Sequence, residues 1–490
     1  MTIYEPVIGL EIHAELSTNS KMFCGCRVVD SVEAAPNSAV CPVCLGMPGM
    51  LPVINKRALE FAIRVALALN CTIQHHNVFA RKNYFYPDLP KAYQISQYEL
   101  PLATNGWLDL DIGHGNLKRI NIRRVHMEED TGKLTHVEED GCSLVDFNRS
   151  GVPLLEIVSE PDLRSVKEAR LYAVKIRQIL KYLQVNTGDM EKGVIRFEAN
   201  ISLRQTGSHS LGTRTEIKNL NSFRILSDAL DYEIVRQESI LQAGGVIFQD
   251  TLGWSENQGK TFSQRGKEEA HDYRYFPEPD LPPLEISSDW IADIRRSLPE
   301  LPDDKVSRYQ EELSLNAYES NVLTEERPIA EFFESAVAAG GKPKSVAKWM
   351  VNDLFNLMNE NKASIEEIKI TPAALVDLIR IVDDGLVNRN TAKDILAEMF
   401  NTGKEANDIV ADKKLAQISD ETQIGEIVAD VLRENPEQLA LFLSGKEQIR
   451  GWFFGQVMRA AKGKANPKMV NDALSRQLSK PNSGSQSKQG

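Results

Sequence analysis

The stretch Gly9-Leu-Glu-Ile-His-Ala-Glu-Leu16 alternates without a break, and its reading decides the fold. Successive side chains on a strand point to opposite faces, so Leu10, Ile12, Ala14 and Leu16 lie on one side and Glu11, His13 and Glu15 on the other. Ile195–Arg204 repeats the pattern, with Ile195, Phe197, Ala199, Ile201 and Leu203 opposing Arg196, Glu198, Asn200, Ser202 and Arg204. Thr213–Asn219 sets Arg214, Glu216 and Lys218 on one side. Strands with one apolar face predict an antiparallel sheet covered on one side. Around them, residues 1 to about 295 read as strand-rich, with helices over Lys56–Asn70, Ser165–Gln184 and Asn221–Ala243. The proline-rich run Phe276–Pro283 closes this region and is neither helix nor central strand.

Beyond about Ile286 helix formers dominate. Helices are expected over 302–313, 327–339, 345–361, 372–384 and 390–401, then over 422–435, 436–444, 449–461 and 467–479. The class is therefore α+β: a sheet domain at 1–295, all-α domains at 296–408 and 409–478, and a disordered tail at 479–490. The 490 residues are 42% hydrophobic and 26% charged, ordinary for a globular protein with ample core. No run of 18 apolar residues suggests a membrane span, and the N-terminus lacks a basic n-region, so a cytoplasmic protein is expected.

The charge of −12 is uneven. From Lys446 onward nine basic residues meet two acids, a net +7 that leaves −19 for residues 1–445. A basic end on an acidic body suits local contact with nucleic acid, or simply a solvated helix face.

Cys24-Gly-Cys26 and Cys41-Pro-Val-Cys44 deliver two thiols each from short loops, the pattern of a closed tetrahedral zinc site; a thiol pair or an iron–sulfur cluster are the other readings. Cys71 and Cys142 read as core residues, and His75-His76 as surface histidines. The charged strand faces either meet water or serve chemistry. Magnesium binds through a few carboxylates and reaches for phosphates, and Arg196, Arg204 and Lys218 between those carboxylates suit phosphate oxygens. His126-Met-Glu-Glu-Asp130 offers one further ligand. No phosphate-binding glycine loop is present, so a nucleotide here would rest on metal and basic side chains.

Six strings carry a resemblance: GLEIHAEL (9–16), RKNYFYPDLPKAYQISQYE (81–99), HMEEDTGK (126–133), NRSGVPLLEIVSEPD (148–162), EIKNLNSFR (216–224) and DYRYFPEPDLPP (272–283). They resemble, in order, the B subunit of the tRNA-dependent amidotransferases, the GatB family, from residue 3 to about 478. The resemblance implies a cradle fold related to glutamine synthetase and the guanidino kinases. It implies ATP-dependent phosphorylation of the side-chain carboxylate of Glu-tRNA(Gln) or Asp-tRNA(Asn). Amidation then uses ammonia released by a glutaminase partner, the amidase or A subunit. A small third member, the C subunit, ties the two together in a heterotrimer. By the same resemblance Glu11, His13, Lys82 and Glu129 are catalytic, Glu11 and His13 bind magnesium, and Glu128 or Glu129, Glu198 and Glu216 are its further ligands. Lys82 meets phosphate or the aminoacyl end, while Tyr84, Tyr86 and Arg274 shape the pocket for the terminal adenosine. The helical parts grip the tRNA, and zinc braces the loop at 21–47. Glu198 stands where the family more often has Asp, and Leu252 follows a threonine where it often has Arg. The competing expectation is a tRNA-binding adaptor whose polar sheet is inert.

Overall fold

A computed structural model describes residues 3–113, 115–137, 141–264, 273–413, 415, 421–461 and 465–479. The expected disordered tail lies outside the described residues from 480 onward. The chain divides into two compact units at Pro302/Asp303.

In the first unit the Tyr4–Glu15 strand is central to a nine-stranded sheet. The order is Lys260–Ser263, Thr251–Ser255, Thr215–Leu220, Ile195–Gln205, Tyr4–Glu15, Pro153–Ser159, Leu117–Glu129, Ala103–Asp111 and Thr72–Ile73. Neighbours are antiparallel except Thr215–Leu220 and Thr251–Ser255, which run parallel. The register places Glu11 opposite Glu198 on one side and Val158 on the other, and His13 opposite Arg196 and Glu156. Polar side chains of three strands therefore share one face.

The other face is sealed by three helices, α1 (Lys56–Ala68), α2 (Val166–Tyr182) and α3 (Phe223–Gln242). Each begins where a polar side chain accepts from free backbone amides: Asn55 from Arg57 N and Ala58 N, Ser165 from Glu168 N, Ser222 from Ile225 N. Such caps contribute about 1 kcal/mol apiece. Ile8, Leu10, Ile12, Phe197, Ile201, Tyr172 and Leu226 are almost wholly buried in the cluster between sheet and helices.

A smaller sheet orders Phe276–Pro277, Ala80–Asn83 and Tyr93–Ser96. The proline-bearing strand is at its edge, where a missing N–H costs no ladder bond. Gln94 Nε2 donates to the Glu129 carbonyl (2.7 Å) and Ile95 N to Glu129 Oε1 (2.9 Å), joining this sheet to the large one. Of the two single cysteines, Cys71 is buried as expected. Cys142 is exposed, because it starts the outer strand of the hairpin Lys133–Val137/Cys142–Asp146 rather than entering the core.

The second unit is helical. One apolar cluster runs from Tyr309 to Ile409 and another from Ile424 to Leu478. The helix expected over 345–361 is interrupted by a π-helical turn at Met350–Leu354, where buried Asp353 meets Arg389 and lies 3.1 Å from Lys393 Nζ. Phe453 of the Gly451–Gly455 run is core, whereas Trp452 stays partly exposed. Among the described residues no helix is long and apolar enough to cross a membrane.

Ile12→Ala, at the centre of the sheet, is expected to destabilise the first unit by about 2–4 kcal/mol. Leu144→Ala on the outer hairpin should cost under about 0.5 kcal/mol. Urea midpoints compare the two, and equal midpoints would contradict the placement of Ile12.

Candidate functional site

Because the strands alternate in register, the polar face gathers acids that the chain keeps far apart. Among the described residues, Glu11, Glu198 and Glu216 bring ligand oxygens within 4.8 Å of one another, and His13, Glu128 and Glu156 do the same. His13 Nε2 lies 3.4 Å from Glu156 Oε2 and 3.9 Å from Glu128 Oε1, and His126 Nε2 lies 3.3 Å from Glu156 Oε2.

The electrostatics follow from this crowding. Burial, then the charges of Glu156, Glu198 and Glu216, push the Glu11 carboxyl up to about 7. Burial opposes the His13 imidazolium, yet the hydrogen bond and charge of Glu156, with Glu198 and Glu128, raise it to about 9. Glu156 is itself buried, but His126 and His13 hold it well below the usual carboxylate range. Like charges at this spacing repel, and each gains from a cation between them.

Two orphaned atoms fit the same chemistry. Asn200, opposite Gly9 and Glu216 in register, donates from Nδ2 to Glu11 Oε1 at 2.8 Å, while its Oδ1 is buried with no hydrogen-bond partner. His126 Nδ1 is likewise buried and unsatisfied. An unsatisfied acceptor beside three carboxylates is the donor set of a hard divalent cation.

Lys82 reaches this face from the small sheet. Its Nζ lies 4.9 Å from the Tyr273 ring centroid and 6.0 Å from that of Tyr84. Burial disfavours its charge, but Glu128 and the neighbouring tyrosines outweigh that and raise its pKa. Asn83 holds the tyrosine segment in place: its N and Nδ2 donate to the Tyr273 carbonyl (2.9 and 3.1 Å), and Nδ2 also to that of Arg274 (2.9 Å). Tyr275 stacks on Tyr98 with centroids 4.3 Å apart.

The other expected residues divide. Lys218 Nζ lies 3.5 Å from Glu198, and the Glu198 charge, ahead of burial, raises its pKa. Arg196 is bound to Asp130 (2.8 Å) and lies 3.7 Å from Glu15, while Arg204 donates to Glu5 (2.7 Å). Both arginines are thus engaged by the sheet itself. Arg274 is exposed with φ +47°, and Tyr86 is half exposed beside an almost fully exposed Phe85. Glu129, expected as a catalytic and metal-binding acid, is not with the His13 group. One residue beyond Glu128, it points to the opposite face and pairs with Lys91 and the Ile95 amide. Asn200 was expected on the polar face and His126 within its motif, neither with a role of its own, and Glu156 was not anticipated at all. The available sign was a single carboxylate in the apolar run Val152–Val158.

The four clustered cysteines also converge, with all four Sγ atoms within 4.8 Å. Cys41 and Cys44 Sγ are 3.9 Å apart, close to the ~3.8 Å edge of a tetrahedron with 2.3 Å metal–sulfur bonds. The hydrogen bond with Cys24, against burial, and then the Cys41 amide and the Lys21 charge hold the Cys44 thiol at about 4. Lys21 is fully buried, 3.7 Å from that sulfur. A closed thiolate site would be structural, with no open position for chemistry.

Residues 6–292 match the GatB/GatE catalytic domain and residues 331–478 the GatB domain. The chain is 53% identical over 471 residues (96% of this chain, 98% of the relative) to the B subunit of the aspartyl/glutamyl-tRNA(Asn/Gln) amidotransferase of Thermodesulfovibrio yellowstonii. It is 51% identical over 472 residues (96% and 98%) to the protein of that name from Persephonella marina. With the one from Thermoanaerobacter sp. strain X514 the identity is 50% over 477 residues (97% and 100%). The chain belongs to the GatB/GatE family.

Glu128→Gln is expected to weaken Mn²⁺ binding about tenfold or more, as read by electron paramagnetic resonance, while Glu129→Gln changes it less than about twofold. Equal losses in the two variants would remove the distinction between the faces.

Proposed function

We propose that this chain is the B subunit of a tRNA-dependent amidotransferase. It uses ATP to phosphorylate the side-chain carboxylate of Glu-tRNA(Gln), Asp-tRNA(Asn) or both. Ammonia released from glutamine by the amidase (A) partner, tied in by the small (C) partner, then gives Gln-tRNA(Gln) or Asn-tRNA(Asn). The observation that carries this reading is the pair of groups, Glu11–Glu198–Glu216 and His13–Glu128–Glu156, on one sheet face beside Lys82.

The chemistry requires such a face. A carboxylate resists amidation because its leaving group is oxide, and phosphorylation replaces that with phosphate. The reaction must bring two anions together, so the site must supply positive charge where the phosphoryl group passes. A magnesium ion in each carboxylate group would neutralise phosphate oxygens and fix their position. Glu11, Glu198 and Glu216 would hold one, and His13, Glu128 and Glu156 the other. Asn200 keeps the Glu11 carboxylate turned toward its neighbours. Lys82, kept charged among its tyrosines, is aimed to hold the substrate carboxylate or a phosphate oxygen, and Lys218 serves the phosphate side. Arg196 and Arg204 keep the strands and their acids in register. Tyr84, Tyr86 and Arg274 border the approach for the terminal adenosine, where aromatic rings stack on bases.

The first unit acts as the catalytic cradle, of the glutamine synthetase and guanidino kinase kind. Cys24, Cys26, Cys41 and Cys44 hold zinc as a brace for their loop. The helical parts, 296–408 and 409–478, grip the tRNA away from its acceptor end, the latter through its basic residues. The reading places the protein in the cytoplasm.

With its A and C partners, ATP, magnesium and glutamine, the wild-type chain is expected to convert Glu-tRNA(Gln) to Gln-tRNA(Gln). Glu11→Ala should lower turnover by about 10³-fold or more while leaving tRNA binding intact. Full activity in Glu11→Ala would overturn the site, and tRNA binding without product in wild type would favour the inert adaptor. Removing residues after 409 should raise KM for tRNA more than it lowers kcat, and an unchanged KM would contradict the tRNA grip.

A further inference from the structure

The basic side chains of the polar face are engaged by its acids. Arg196 is bound to Asp130, Arg204 to Glu5, and Lys218 Nζ lies 3.5 Å from Glu198. Lys82 differs. It is half-buried, yet among the described residues its ammonium makes no hydrogen bond and no ion pair. Burial opposes its charge, and Glu128 favours that charge from beyond ion-pair distance. Its close neighbours are aromatic faces instead. Nζ lies over the Tyr273 ring, 4.9 Å from the centroid, and 6.0 Å from that of Tyr84.

Tyr273 belongs to a ladder of tyrosines. It meets Tyr84 and Tyr275 in T-shaped contacts, with centroids 6.0 and 6.1 Å apart, and Tyr275 stacks on Tyr98 at 4.3 Å. The Arg124 guanidinium, 5.6 Å from the Tyr98 centroid, closes the far end. A ring with a negative face and a positive edge prefers such angles, so each tyrosine restrains the next. The backbone beneath is fixed as well. Asn83, the residue after Lys82, donates to the Tyr273 carbonyl from N (2.9 Å) and Nδ2 (3.1 Å), and from Nδ2 to that of Arg274 (2.9 Å). The strand that carries the lysine therefore also holds the segment that carries the ring.

We propose that Tyr273 is a positioning residue for Lys82, its ring face holding the ammonium by cation–π attraction so that the charge stays aimed at an anion of the substrate. The proposal rests on the amidotransferase reading, which supplies that anion, and adds how the lysine is kept ready for it. A carboxylate partner would neutralise the ammonium and occupy its donors. An aromatic face attracts the charge through the ring quadrupole and leaves the N–H groups for oxygen acceptors. Lysine is a compact charge on a flexible stem, so without the ring it would sample other rotamers, and the loss of position would fall on turnover. The Tyr273 hydroxyl has no part in this contact; the ring is the working group.

The test uses the chain assembled with its A and C partners and Glu-tRNA(Gln). Tyr273→Phe keeps the ring and should hold kcat within about twofold, whereas Tyr273→Leu should lower kcat about tenfold with KM for tRNA within about twofold. Equal kcat in the two variants, whether both lost or both retained, overturns the clamp. A rise in KM at unchanged kcat also overturns it, because the ring would then serve the tRNA. A second measurement is independent of turnover. In urea unfolding of the full chain, the Lys82→Met, Tyr273→Leu double variant should have an unfolding constant about fivefold below that expected of independent changes, since the two single variants lose the same contact. Additive effects overturn the clamp. Coupling that persists in a wild-type chain whose complex does not amidate Glu-tRNA(Gln) supports the clamp and counts against the amidotransferase reading alone.

Discussion

Five carboxylates held on one sheet face repel one another, and much of the first unit answers that repulsion. Glu11, Glu198 and Glu216 share one group, and Glu128 and Glu156 share another with His13. Glu156 is held ionised by His126 and His13, Glu198 is answered by Lys218, and Glu128 by Lys82. For Glu11 the His13 charge is outweighed, and its carboxyl rises to about 7 through burial and the charge of its acidic neighbours. Such a face is costly by itself, and a cation placed among the acids would offset that cost. A protein that must join a carboxylate to a triphosphate has reason to keep it.

The apolar side of the sheet makes this tolerable. Ile8, Leu10 and Ile12, each close to fully buried, anchor the central strand against three capped helices, so its polar residues have no freedom to turn away. Burial of a fully covered side chain of this size contributes roughly 1.5–3 kcal/mol. A slip of one residue would exchange the faces, placing Ile12 among the acids and Glu11 in the core. The register is therefore held by the apolar residues and used by the polar ones.

Much of this was legible in the chain. Alternation at 9–16 and 195–204 is local, because a strand's two faces differ by one residue, and it assigned Glu11, His13 and Glu198 to the polar face correctly. Helical periodicity located α1, α2 and α3 to within two residues at each end. The cysteine pairs were legible because short loops hold their sulfurs together. Glu129 was not, since the motif Glu128-Glu129 contains two identical acids on opposite faces. Only the pairing of Pro153–Ser159 with Leu117–Glu129 says which of them joins His13.

By itself the amino-acid sequence determined which elements form and which of their faces are apolar, since those follow from spacing along one strand or helix. Recognisable strings also determined the family. Tertiary structure alone decided which acids meet. Glu11 is far along the chain from Glu198 and Glu216, and Glu156 and His126 join through strands whose neighbours are set by the sheet order. The same holds for Lys82, whose Tyr273 ring comes from a distant segment that Asn83 holds. Strand order is settled by the burial of the whole apolar face, a sum over distant residues that no local pattern contains.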